Sequence, residues 1–237
     1  MKRNHYFLQI LFVCFAACGI AVSSCSKKTE TETQMAQNAE QTDVKTKQAE
    51  EKPVSGEKVV VALQPFSDYS QAETKKMADE LKKHWKELPI EGNWEFRVLS
   101  PITPGTELLN EAKVRLDAAK ILNRFSETAN DHYVIIGLTH KDISHKASDR
   151  PGGDGPNGWG VFGLSYMNKH VSVVSDYREK VKSQFWKTAT HEFLHAHFGL
   201  PHCPGNDLKC IMKDAEGKPK THLQTNICDI CRAKMKK

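Results

Sequence analysis

The segment HEFLHAHFGLPHC, from His191 to Cys203, concentrates residue types that bind metal ions. His191 and His195 are four positions apart, so on a helix both imidazoles project from one face and can bind a single ion. Glu192 follows the first histidine, where its carboxylate can take a proton from a water on that ion without being a ligand. The segment predicts a zinc site of the H-E-x-x-H type with Glu192 as general base. The alternative is an amphipathic helix that carries histidines by chance.

A catalytic zinc ion has three protein ligands and one open position, so a third ligand is needed. Gly199 can end the helix in a left-handed turn, after which the chain returns and offers His202. Glu216 is the rival ligand, because some zinc proteases use a downstream glutamate. It stands in a turn-like stretch, however, whereas that class holds its glutamate on a helix. We interpret His197, only two positions after His195, as a packing residue or a support for a ligand.

Four cysteines follow the histidines, with spacing C-x6-C and then C-x2-C: Cys203, Cys210, Cys228 and Cys231. This spacing is close to that of a four-cysteine zinc site. Two disulfides are the alternative in an exported protein, since they would also use an even number of cysteines.

The two motifs together resemble those of the archaemetzincins, a family of metzincin-type zinc metalloproteases. In that family a cysteine directly follows the third histidine, and a C-x-M step and a later C-x-x-C come after it. The matching residues here are His202-Cys203, Cys210-Ile211-Met212 and Cys228-Asp229-Ile230-Cys231. The resemblance covers residues 58–237. It implies catalytic zinc on His191, His195 and His202, a second, structural zinc on the four cysteines, and Met212 as the apolar floor beneath the catalytic ion.

The sequence departs from the family pattern at two places. Three residues instead of two separate His195 from Gly199, and six instead of four separate Cys203 from Cys210. One additional helical residue rotates the subsequent residues by about 100°. We expect a π-bulge near His197 or a later helix end to absorb this rotation.

The N-terminus has the features of an export signal, with Lys2 and Arg3 ahead of an apolar run. The sequence V-S-S-C at Cys25 resembles the lipobox of bacterial lipoproteins, and F-A-A-C at Cys18 is a second candidate. We predict a lipoprotein signal peptide over residues 1–24, although an uncleaved membrane anchor is an alternative. Residues 25–57 are polar and charged without aromatic residues, which predicts a flexible tether. The protein is thus expected in the cell envelope of a bacterium, anchored by lipid, with its domain outside the cytoplasm.

Charge and glycine patterns give little support to other functions. The net charge is +5, and no basic cluster is interleaved with aromatic residues, so nothing indicates a nucleic-acid partner. Gly153, Gly155 and Gly158 form a G-x-G-x-x-G match. It contains Pro156 and precedes a predicted strand, not a helix, so it does not indicate a nucleotide site.

The remaining pattern predicts an α/β domain. Apolar strands are expected at residues 58–66, 94–102 and 132–140. A first helix starts at the Ser70–Glu73 capping box, and a second is marked by apolar residues from Leu109 to Leu122. The order β-α-β-α-β predicts a mixed, mostly parallel sheet, and it suits the metzincin-like catalytic domain that the resemblance implies. Strands at 160–167 and 170–177 are expected to form a hairpin, followed by the active-site helix Lys180–Phe198 and a small cysteine-rich C-terminal subdomain.

These features favour zinc-dependent hydrolysis of a peptide or protein substrate. The substrate is expected to add as a strand to the sheet edge near Gly160–Met167. The alternative function is a non-catalytic zinc module that binds peptide or protein. The presence of Glu192 argues against it, because binding alone needs no general base.

Overall fold

The computed structural model describes residues 56–235. The predicted signal peptide and nearly all of the predicted tether lie outside this range. Between residues 56 and 235, no helix is both long enough and apolar enough to cross a membrane.

Eight β-strands and four α-helices make up this part of the chain. In chain order they are β1 (Lys58–Pro65), α1 (Gln71–Glu87), β2 (Asn93–Val98), β3 (Leu116–Asp117), α2 (Ala118–Phe125), β4 (Tyr133–Thr139), β5 (Ile143–His145), β6 (Trp159–Val161), β7 (Gly163–Tyr166), β8 (Val171–Ser175), α3 (Phe185–Phe198) and α4 (Asp229–Met235).

The main sheet has the strand order β2-β1-β4-β8-β7. The first four strands are parallel, and β7 pairs antiparallel with β8 at the edge. Parallel strands are usually connected by helical crossovers. Here α1 connects β1 to β2, and α2 lies in the connection from β2 to β4. The predicted α/β class with a mostly parallel sheet is confirmed, as is the β7–β8 hairpin.

Both faces of the sheet are covered, because successive residues of each strand enter different cores. Val61 and Leu63 of β1 pack in the core shared with α1 and α3, whereas Ala62 packs in the core shared with α2. The capping box that begins α1 is present as predicted. Near its other end, Trp85 Nε1 donates a hydrogen bond of 2.9 Å to Thr190 Oγ1 of α3. This contact fixes α3 beneath the sheet.

The predicted second helix is wrong in its first half. Asn110 Oδ1 accepts the backbone N–H of Val114 at 3.1 Å, so a side chain replaces the helical acceptor. Lys113 has a φ of 57°, which no helix accommodates. Leu116 belongs to β3, and α2 begins only after Asp117, whose carboxylate caps it.

The predicted strand at 160–167 is in fact two strands in different sheets. β6 pairs with β5 in a small sheet of order β3-β5-β6, and β7 joins the main sheet. The chain changes sheet at Phe162, whose carbonyl accepts the N–H of Ser175 at 2.8 Å. The glycine-rich loop leads into β6, and the last long helix starts at Phe185 after a 3₁₀ turn at Lys182–Gln184.

Candidate metal centre

Helix α3 carries the H-E-x-x-H motif and is buried along most of its length. It ends at Gly199, whose φ of 61° is left-handed. The N–H of Gly199 donates to His195 O at 3.1 Å, which is the hydrogen bond of the αL helix-terminating motif, and the N–H of Leu200 donates to Leu194 O at 3.3 Å. The additional residue is thus absorbed by a later helix end and not by a π-bulge.

The three predicted histidine ligands converge on one point. His191, His195 and His202 each offer a ring nitrogen, and these atoms all lie within 4.8 Å of one another. The two Nε2 atoms on α3 are 2.9 Å apart. Tetrahedral zinc with bonds of 2.0–2.1 Å holds neighbouring nitrogens about 3.3 Å apart, close to this spacing. His202 is half-exposed, so this corner faces a cleft.

Hydrogen bonds fix the tautomers of the two helical histidines. His191 Nδ1 donates to Ile211 O at 2.7 Å, and His195 Nδ1 donates to Leu200 O. Because carbonyl oxygens only accept, both Nδ1 atoms carry the proton and both Nε2 atoms present lone pairs in the neutral rings. Burial lowers the pKa of each ring to about 4, so both are neutral near pH 7.

Two lone pairs therefore face each other across 2.9 Å, an arrangement that a shared cation stabilises. In zinc sites a histidine ligand is commonly oriented by a hydrogen bond from its other ring nitrogen, as by the Nδ1–carbonyl bonds of His191 and His195 here. The donor set of three imidazoles fits zinc in a site that keeps one position open.

Glu192 lies beside the histidines in the same cleft and is buried. Ser165 Oγ donates to Glu192 Oε2 at 2.7 Å. Burial raises the pKa of Glu192 against the opposing effects of His195 and Ser165. Gly163 leaves room for this carboxylate, since a Cβ there would lie 2.6 Å from Glu192 Cγ. The sequence motifs did not identify Gly163 or Ser165 as site residues. Both lie in the segment Gly160–Met167, which was predicted only as the strand edge that binds substrate.

Glu216 and His197 do not belong to the histidine cluster, whereas Met212 lies next to a residue that contacts it. Glu216 is exposed and forms an ion pair of 2.7 Å with Lys220. His197 stacks on Phe193 with a ring-centroid distance of 5.4 Å, in agreement with its interpretation as a packing residue. Met212 is fully buried and follows the residue that holds His191.

The four predicted cysteine ligands also converge, and none of these four forms a disulfide. Their Sγ atoms all lie within 4.8 Å of one another, with 3.5 Å between Cys203 and Cys228 and 3.8 Å between Cys210 and Cys231. Tetrahedral zinc with Zn–S bonds of 2.3 Å sets sulfurs about 3.8 Å apart, whereas a disulfide needs about 2.05 Å. The cluster fits a closed zinc site. Burial raises the pKa of Cys210 to about 11, so metal binding must displace protons.

The cleft beside the histidines has a volume of about 540 Å³. Edge strand β7 forms one wall, and the segment after Met212 forms the other, with Asp214 3.9 Å from His202. No pattern in the sequence pointed to Asp214. The arrangement combines a three-nitrogen metal site, a buried carboxylate and an open strand edge.

No protein-family model matches the sequence, and the curated proteins gave no match. Several solved structures are similar in fold, including the following three. Archaemetzincin from Methanopyrus kandleri has a TM-score of 0.59 at 20% identity, with 75% of this chain and 93% of that chain covered. A zinc-dependent peptidase from Methanocorpusculum labreanum has a TM-score of 0.56 at 19% identity, with 74% and 99% covered. Archaemetzincin from Archaeoglobus fulgidus, complexed with malonate, has a TM-score of 0.53 at 23% identity, with 74% and 99% covered. The chain therefore has the archaemetzincin fold.

Proposed function

We propose that this chain is a zinc-dependent metallopeptidase of the archaemetzincin family. The observation that carries the proposal is the convergence of three histidine nitrogens within 4.8 Å in a cleft that Glu192 also lines. The shared fold supports it, since two of the similar structures are archaemetzincins and a third is a zinc-dependent peptidase.

In this proposal His191, His195 and His202 hold the catalytic ion. Zinc held there would supply a Lewis acid that polarises the scissile carbonyl and lowers the pKa of a water molecule, so that the water can lose a proton and become the nucleophile. Glu192 takes the proton from the attacking water and then gives it to the leaving amine. The raised pKa of Glu192 suits both steps, and the hydrogen bond from Ser165 holds its carboxylate in place.

The substrate is a peptide or protein segment in extended form. β7 is an edge strand of the main sheet, so its outer backbone groups can pair with a substrate strand. Gly163 and Ser165 of this strand line the cleft next to Glu192. A peptide bound along the strand would pass beside the proposed metal site.

A second zinc ion, on the four cysteines, has a structural role in this proposal. Four thiolates leave no open position for water or substrate, which is typical of structural zinc. We further propose that the chain is a bacterial envelope lipoprotein anchored through Cys25. In cells labelled with palmitate, Cys25→Ala should lose the label and leave the membrane fraction. Label that persists would move the anchor to Cys18.

The test of the catalytic proposal is Glu192→Gln in the zinc-loaded full-length chain. This change keeps the shape of the side chain, so zinc content by mass spectrometry should stay at the wild-type value. Hydrolysis of a peptide library should fall by roughly 10²- to 10⁴-fold, the range for a lost acid–base group. Wild-type protein that binds zinc fully and cleaves nothing would instead indicate the non-catalytic peptide-binding module.

A further inference from the structure

A second buried carboxylate lies in the cleft, apart from the histidines and Glu192. Glu179 stands in the loop between β8 and α3, lines the same cleft and is only 5% exposed. Thr188 Oγ1 donates to Glu179 Oε1 at 2.5 Å, and Thr221 Oγ1 donates to Oε2 at 3.1 Å. These two contacts hold the carboxylate in a fixed orientation, and the proposed hydrolysis makes no use of it.

The charge of Glu179 has no ion-pair partner among residues 56–235. The nearby ammonium of Lys187 donates instead to the carbonyls of Thr221 and Gln224, at 2.9 and 2.6 Å. Burial raises the pKa of Glu179, and the two hydroxyl hydrogen bonds and the charge of Lys182 oppose this effect without an ion pair being formed within this range. An unpaired buried carboxylate is unfavourable, and a cation that enters the cleft removes this cost.

The position of Glu179 relative to the metal site follows from α3. Thr188 precedes His191 by three residues, so it lies about 4.5 Å further along the helix axis, on a neighbouring part of the same face. Thr188, which holds the carboxylate, is thus roughly one helical turn from the proposed ligand His191, and Glu179 lines the same cleft. A lysine or arginine side chain can span such a distance with its aliphatic stem.

Charges at the rim of the cleft are largely matched by near neighbours. Lys220 pairs with Glu216 at 2.7 Å, and Arg150 lies 3.5 Å from Asp149. Lys213 Nζ donates to a backbone carbonyl at 2.7 Å. The deep carboxylate therefore differs from the rim in being both buried and unpaired.

We propose that Glu179 is a specificity-determining residue that binds the ammonium or guanidinium of a basic substrate side chain adjacent to the scissile bond. This inference rests on the proposed peptidase function and narrows its substrate class to peptides with lysine or arginine at one of the two positions flanking the cleaved bond.

The experiment compares full-length, zinc-loaded wild type, Glu179→Gln and the control Glu216→Gln on matched peptides. The peptides differ only at the flanking positions, which carry lysine, arginine, norleucine, glutamine or glutamate. Loss of one partner of a buried charge pair lowers kcat/KM for the basic peptides by on the order of 10² to 10³. The norleucine peptide should be cleaved equally by wild type and Glu179→Gln, and Glu216→Gln should retain the basic preference.

The inference would be overturned if wild type cleaved norleucine or glutamate peptides with the same kcat/KM as lysine peptides. It would also be overturned if Glu179→Gln kept the preference for basic peptides. If wild type cleaves no peptide, the proposed peptidase function fails separately. Calorimetric binding of the same peptides then decides: tighter binding of the lysine peptide that is lost in Glu179→Gln supports the inference, and equal binding refutes it. Unchanged zinc content and melting temperature show that the variant is folded.

Discussion

Substitution of Gly163 by alanine tests whether the position of Glu192 controls the reaction. A Cβ atom at Gly163 would lie 2.6 Å from Glu192 Cγ and 2.8 Å from its Oε1. Non-bonded carbon atoms rest about 3.5–4.0 Å apart, so the carboxylate has to withdraw by about 1 Å. A displacement of that size typically costs about 10²-fold in rate. We expect kcat to fall by about 10²-fold while both proposed zinc sites stay filled, because Glu192 is not one of the proposed ligands.

The assay is steady-state hydrolysis of a peptide that wild type cleaves, together with zinc content and melting temperature. Gly155→Ala is the matched control, since the nearest atom to its added Cβ is a backbone oxygen at 3.3 Å. It should retain the wild-type kcat. Loss of zinc in Gly163→Ala would show that the strand supports the ligands and not the base. A wild-type kcat with full zinc would refute the reasoning altogether.

Two further predictions concern single hydrogen-bonding groups. Ser165→Ala removes the hydroxyl that donates to Glu192 Oε2. It should lower kcat by about 10-fold without changing KM or zinc content. An unchanged kcat would mean that Ser165 is not a positioning residue. Although burial opposes it, the hydrogen bond to Asp176 and the nearby Glu73 raise the pKa of His140. A raised pKa means that protonated His140 stabilises the folded state. This contribution is fully present below the unfolded pKa of about 6.5 and is lost as pH rises through the folded pKa. His140→Gln should therefore lower the melting temperature near pH 5.5 but not near pH 9. An equal loss at both pH values would contradict it.

The sequence was sufficient for those parts of the site that are close together in the chain. His191 and His195 share a helical face at any reasonable helix boundary, and Gly199 is the residue that tolerates a φ of 61° where the helix ends. The cysteine spacing likewise predicted the cluster in which the four sulfur atoms converge. The parallel sheet followed from the alternation of apolar strands and helices, because few topologies satisfy that order.

The features that the sequence could not predict depend on contacts between distant segments. The apolar spacing from Leu109 to Leu122 suits a helix, yet Asn110 captures backbone groups and Leu116 pairs with β5. The division of β6 from β7 is set by two different partner strands and not by local pattern. Glu179 and Ser165 are ordinary polar residues in sequence, and only the fold places them in the cleft beside α3.

The segment from Leu200 to Met212 links the two proposed zinc sites. It contains His202 and the carbonyls of Leu200 and Ile211 that orient the other two histidines. It also contains two of the four cysteines, and Cys203 N–H donates to Met212 O at 2.8 Å, closing the segment into a loop. The cysteine cluster thus fixes the backbone that positions the histidines, and its loss should weaken metal binding at the histidine site.

Cys231→Ser removes a proposed zinc ligand on α4 and leaves this loop's own sequence unchanged. We expect zinc content to fall from two ions to one, the melting temperature to fall by about 10 °C, and the remaining site to bind zinc about 10- to 100-fold more weakly, as when supports of a ligand are lost. Competition with a chromogenic chelator measures the affinity. Ile230→Ser, at an exposed position on the same helix, is the control. Wild-type affinity at the histidine site in Cys231→Ser would show that the loop holds its shape without the cysteine cluster.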